Sequence, residues 1–200
     1  MPKRTGPLRV AMVSARALPQ MGGVETHVDE VARRLAAAGV GVTVLATDTT
    51  GELVADEQRA GYRILRWPSY PKSRDFYFSP ALSAHLRRAR GVYDIVHVQG
   101  VHSLVAPVAL ASVRAAGIPS VLTFHTGGHS SGVRGALRPM QWKLLAPLLR
   151  TTRALVAVCE YERHTFARAL GVAEARIRLI PNGCTPLPID TGAAQITGAP

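Results

Sequence analysis

Cysteine is scarce in this chain: Cys159 and Cys184 lie far apart and in no metal-type spacing. Two such thiols predict a reduced pair in a cytoplasmic protein rather than a disulfide framework. Long apolar runs are missing as well. The N-terminal apolar stretch is bracketed by Arg9 and Arg16 and is too short for a signal peptide. No run reaches the length of a membrane-spanning helix, so any membrane contact is expected to be peripheral. Acidic residues are few, 13 against 24 Lys and Arg, and the formal net charge is +11. That balance predicts attraction to phosphorylated ligands, acidic lipid surfaces or nucleic acid without choosing among them. Two nucleotide signatures are absent. No G-x-G-x-x-G follows the first apolar run, which leaves Asp48 a weak ribose candidate, and no G-x-x-x-x-G-K-[ST] occurs, which disfavours an NTPase. There is no internal repeat and no low-complexity tract.

The chain of 200 residues, 47% apolar, is ample for one large domain or a domain plus a tail. The stretch 8–39, LRVAMVSARALPQMGGVETHVDEVARRLAAAG, organises the rest. Leu8, Val10, Met12 and Val13 fit a buried strand. Pro19 bends the following loop, and Gly22 and Gly23 end it. Val24, Val28, Val31 and Leu35 then recur at helical spacing, with Gly39 placed to stop the helix. Two glycines let a ligand approach the backbone, and the first N–H groups of a helix are unpaired and partly positive. A strand, a glycine loop and a helix start thus suit a phosphate or diphosphate. A plain tight turn, with Glu25 complementing the helix dipole, is the competing account of the same residues.

Farther on, strands are expected at 40–46, 62–67, 94–98, 119–124, 154–158 and 176–180. Helices are expected at 79–90, 102–116 (with a kink or late start at Pro107), 137–150 (interrupted near Pro147) and 160–170. Residues 51–60 read as a polar connection, and the stretch from Pro181 reads as a linker-like tail. Short strands, apolar on both faces and alternating with helices, define an α/β, doubly wound, mostly parallel sheet. Ligands in such sheets sit beyond the C-terminal strand ends, where Gly22-Gly23, Gln99-Gly100, His125 and Cys159-Glu160 all fall.

Other motifs weigh less. Gly128 to Gly132 (GHSSG) matches the hydrolase elbow G-x-S-x-G, but it begins four positions past the strand end and the acid and base partners are poorly placed. His125 at a central strand end is read as functional, His97 in mid-strand as packing, and His102 is ambiguous. Between Arg59 and Arg90 lie Arg63, Arg66, Lys72, Arg74, Arg87 and Arg88, interleaved with Trp67, Tyr70, Phe76, Tyr77 and Phe78. Arg63, Arg66, Lys72 and Arg74 are the expected membrane or acceptor surface. Single-stranded nucleic acid also uses charge with stacking, but no recognition motif supports it, and no nucleic-acid partner is expected.

The opening stretch MVSARALPQMGGVETHVDEVARRLAAAGVGVTVL, then YDIVHVQG, SVLTFHT, ALVAVCEYER and RLIPNG, resembles in order and spacing the N-terminal domain of family 4 retaining glycosyltransferases. The likeness runs from about residue 8 to 184. It implies a Rossmann-like domain over 1–180, the acceptor-side half of a GT-B fold, with 181–200 as linker and the donor-binding C-terminal domain absent. It implies sugar transfer with retention from a nucleotide sugar to a sugar or lipid acceptor, with no cofactor and no metal, and with a C-terminal partner domain required. Gly22 and Gly23 would contact the donor diphosphate, and His125 would sit beside the transferred sugar. Glu25, Thr126 and Glu160 would shape the sugar or acceptor pocket. Cys159 departs from the serine common there. The implied location is cytoplasmic, peripheral on the inner face of the membrane. A non-catalytic module for anionic lipid or glycan is the alternative.

Overall fold

The computed structural model describes residues 6–72, 77–101, 103–125 and 132–183. In chain order the elements are β1 (Arg9–Ser14), α1 (Gly23–Ala37), β2 (Gly41–Asp48), β3 (Asp56–Arg59), β4 (Tyr62–Pro68), α2 (Pro80–Arg88) and β5 (Ile95–Gln99). Then come α3 (Val105–Ala115), β6 (Ser120–Thr123), α4 (Gly132–Leu149), β7 (Ala154–Ala157), α5 (Glu160–Leu170), a 3-10 turn (Glu174–Arg176) and β8 (Ile177–Leu179). The strands form one sheet in the order β3-β4-β2-β1-β5-β6-β7-β8. All neighbours are parallel except β3 on β4. The doubly wound sheet expected from the alternation of elements is therefore the observed one.

Period-two alternation sorts the central strand into two cores. Ala11 and Val13 join Leu45, Val98, Leu122 and the helices α2 to α5, while Val10 and Met12 join Val44, Ile64 and α1. The uneven layering follows from handedness. Crossovers in parallel sheets are right-handed, so a chain winding one way from β1 and then the other way from β5 deposits its helices on opposite faces. The chain leaves the neighbouring strands β1 and β5 in opposite directions. Their C-terminal ends mark the topological switch point, where the loops part and leave a crevice.

Three expectations need correction. The polar connection 51–60 holds β3, an edge strand with no apolar residue. It is held by backbone pairing to β4 and by the ion pairs Asp56–Arg63 and Glu57–Arg66, so no hydrophobic pattern announces it. Helix α3 starts at Val105, with Pro107 in its first turn, where a missing N–H is harmless. Helix α4 runs from Gly132 to Leu149, and Pro147 falls within it rather than interrupting it.

Candidate functional site

Helix α1 begins at Gly23 with Gly22 as N-cap, and no side chain caps it. At α2, by contrast, the Ser79 hydroxyl accepts from Leu82 N–H at 3.3 Å. The glycines are not there for backbone reasons, since Gly22 has an ordinary extended φ of −171°. A Cβ added at Gly23 would meet nothing within 4 Å, whereas one at Gly22 would collide with Glu25 Oε2. Gly23 thus keeps open space at a bare helix start, and Gly22 leaves room for a carboxylate.

That carboxylate is buried, and its Oε1 accepts from Arg16 Nε at 2.9 Å. Glu25 lines a cavity of about 290 Å3 at the switch point, together with the ends of β1 and β5, both glycines, Tyr77 and Ser103. A second cavity of about 270 Å3 opens on the other side of the helix start. Gly23 and Val24 border it too, facing His125, Cys159 and Glu162. The elbow and His125 therefore share one edge of the sheet and one recess.

His125 is buried and takes a left-handed backbone, φ 49°. That conformation is strained for a non-glycine residue and is concentrated at functional sites. Its Nε2 lies 2.8 Å from Gln99 Oε1, and its ring meets the His27 ring edge-on with centroids 4.7 Å apart. Gln99 Nε2 lies 3.2 Å from His97 Nε2, which is also 2.8 Å from Thr123 Oγ1. Burial lowers the pKa of His27, and burial with the neighbouring His27 pushes His97 down to about 4. Both imidazoles are therefore neutral at pH 7.

His97 is thus more than packing: as the period of two requires, it shares a sheet face with Gln99, and the pair reaches from mid-strand to His125. Glu160 does not reach the cleft. Its carboxylate is half exposed and pairs with Arg163 at 2.8 Å and with His164. The acid that lines the recess is Glu162, buried and accepting Val158 N–H at 2.9 Å. Thr126 and His102 lie outside the described residues, as does the serine of the G-x-S-x-G match. Asp48 is no ribose ligand candidate: its carboxylate accepts from the Thr50 hydroxyl and N–H and from Leu53 N–H in its own turn.

The expected basic surface also changes. Arg66 is buried, donating to Val54 O at 2.8 Å, to Leu18 O and to Glu57 at 2.7 Å. It is a structural cation of the β3–β4 edge. Arg63 makes a two-pronged pair with Asp56 across the hairpin. Lys72 is exposed and Arg74 lies outside the described residues. Among the described residues no helix is long and apolar enough to cross a membrane.

A Rossmann-like domain with an uncapped, glycine-led helix at its switch-point crevice is the class of protein that the sheet and the site define. The chain belongs to Glycosyltransferase Family 4, whose model matches residues 21–186. It is 28% identical to a phosphatidyl-myo-inositol mannosyltransferase of Mycobacterium leprae over 96% of this chain and 50% of that protein. It is 31% identical to a GDP-mannose-dependent alpha-mannosyltransferase of Mycobacterium tuberculosis over 82% of this chain and 48% of that one. The chain thus spans about half the length of the curated relatives it matches. Its fold is similar to that of Anabaena Alr3699/HepE, solved with UDP-glucose (TM-score 0.61, 16% identity, 88% of this chain and 44% of that one). It is also similar to sucrose-phosphate synthase from Thermosynechococcus elongatus (TM-score 0.59, 18% identity, 88% and 89%).

Proposed function

We propose that this domain supplies the acceptor-side wall for retaining transfer of a sugar from a nucleotide-sugar donor, acting with a donor-binding domain across the cleft. One observation carries most of the weight: the bare start of α1, with the open space at Gly23, borders both the Glu25 cavity and the His125 recess. Unpaired N–H groups at a helix start favour the developing charge on a departing diphosphate. In this reading Gly22 and Gly23 approach the diphosphate, His125 flanks the transferred sugar, and no metal or other cofactor is required. The acceptor enters the switch-point cavity.

The Arg16–Glu25 pair bears on which acceptor fits. Glu25 already neutralises Arg16, so that wall offers carboxylate oxygens to hydroxyl donors rather than a spare cation to a phosphate. A polyhydroxylated acceptor suits it. Both mannosyltransferase relatives make a mannose nucleotide the first donor to test. The alternative, a non-catalytic module for anionic lipid or glycan, draws on four cations, of which Arg66 is buried and Arg63 is paired. Peripheral attachment to the inner face of the membrane rests on Lys72 among the described residues.

The test is transfer of labelled sugar from GDP-mannose and UDP-glucose to polyol acceptors by this chain combined with a family 4 donor-side domain. Retained product stereochemistry and loss of transfer in His125→Ala are expected. Inversion of the anomeric centre, or full activity in both His125→Ala and Gly23→Val, would overturn the assignment.

A further inference from the structure

We propose that Gln99 is a positioning residue for His125, and that His97 sets the direction in which the Gln99 amide points, so that the two histidines carry their protons on opposite ring nitrogens. This builds on the placement of His125 beside the transferred sugar, but it concerns the state of the ring rather than the reaction.

The geometry requires it. A primary amide has one accepting end and one donating end. In this structure the accepting end, Oε1, faces His125 Nε2 at 2.8 Å, and the donating end, Nε2, faces His97 Nε2 at 3.2 Å. The His125 nitrogen in contact must then carry a proton, and the His97 nitrogen in contact must not. For a neutral imidazole that fixes His125 as the Nε2–H tautomer and His97 as the Nδ1–H tautomer. Thr123 Oγ1, 2.8 Å from the same His97 nitrogen, is then a second donor to it. The lowered pKa of the buried His97 ring keeps it neutral at pH 7, so it carries a single ring proton, and the amide orientation assigns that proton to Nδ1. Gln99 is itself buried and His125 is held in a left-handed backbone. Side chain and main chain thus both restrict the ring that borders the recess. His125 borders the recess with its Nε2 proton committed to Gln99, and a role as general base through Nε2 is excluded. In chemical terms the strand β5 tunes a group just past the end of β6, through a hydrogen-bonded chain of Thr123, His97, Gln99 and His125.

The experiment is a long-range proton–nitrogen correlation spectrum of the nitrogen-15-labelled chain at pH 7, with His97 and His125 assigned by their disappearance in single variants. Opposite tautomers are expected, Nε2–H at His125 and Nδ1–H at His97. Gln99→Glu presents accepting oxygens to both rings. It should leave His125 protonated at Nε2 and convert His97 to a ring that carries a proton on Nε2. Gln99→Met, which neither donates nor accepts here, should shift the His125 ring signals away from those of the parent chain. The same tautomer at both histidines of the parent chain would overturn the proposal. So would an unchanged His97 signal in Gln99→Glu, with the amide spectrum showing a retained fold. If Gln99→Met fails to fold, the parent spectrum and the isosteric Gln99→Glu still decide. Absence of sugar transfer with every donor would sink the functional reading above and leave the tautomer result standing.

Discussion

A Cβ at position 23, on the border of both cavities, would meet nothing within 4 Å, so Gly23→Val separates ligand space from folding. The expected result is a thermal midpoint within a few degrees of the parent chain and a loss of transfer of at least about tenfold when the donor-side domain is supplied. His125 is the converse case. Its left-handed φ is strained for a residue with a Cβ, so in His125→Gly the relief of that strain should offset, by up to about 1 kcal/mol in urea unfolding, the cost of losing the buried, hydrogen-bonded ring, while transfer is abolished. His125→Ala should show no such offset. At this scale the sequence was informative where a residue's place between strand, loop and helix decides, as with the paired glycines and the histidine at a strand end. It was misleading where the phase of a helix start decides. Glu160 and Glu162 are two residues apart and turn to different sides, one pairing in solvent with Arg163 and the other buried against Val158 N–H. Nothing in the letters EYER distinguishes them before the helix is built.

The edge hairpin and the strand β5 show what elements add. The strand β3 carries no apolar residue and owes its place to β4, so periodicity is blind to it. The same hairpin converts Arg66 from an expected surface cation into a buried one. Arg66→Ala, which orphans two backbone carbonyls and leaves Glu57 only its longer pair with Arg59, should destabilise the fold by about 2–4 kcal/mol. Lys72→Ala should leave stability unchanged, and urea midpoints of the two variants check the contrast. In β5 the histidine at position 97 ties stability to pH. Its folded pKa lies at about 4 against an ordinary 6.5, so below 6.5 the unfolded chain takes up the proton that the folded chain refuses. That contribution is complete above pH 6.5, is lost as the pH falls to about 4, and is flat below. The span corresponds to at most about 3 kcal/mol. Urea unfolding at half-unit steps should show this slope in the parent chain and a flatter one in His97→Gln.

At the scale of the whole molecule, winding direction explains why the cleft lies where it does. Because the sheet grows to one side from β1 and to the other from β5, α1 packs alone against its own core while α2 to α5 share the opposite face. The C-terminal ends of β1 and β5 are then left with no crossover between them. The alternation of strands and helices made this layout legible in the sequence, down to the edge on which Gly22, Gln99 and His125 gather. The pairing of Arg16 with Glu25, and the linkage of His97 to His125 through Gln99, were not legible. They join residues that only the folded sheet brings within hydrogen-bonding distance, nine and 28 positions apart in the chain.

Cys159 stands exposed at the N-cap of α5, on the rim of the recess that Gly23 and His125 share. A maleimide fluorophore attached there, with Cys184 replaced by serine, would sit beside the space that a sugar donor is proposed to fill. Its emission would then follow docking of the opposing domain and entry of nucleotide in real time, with no substitution inside the cleft itself.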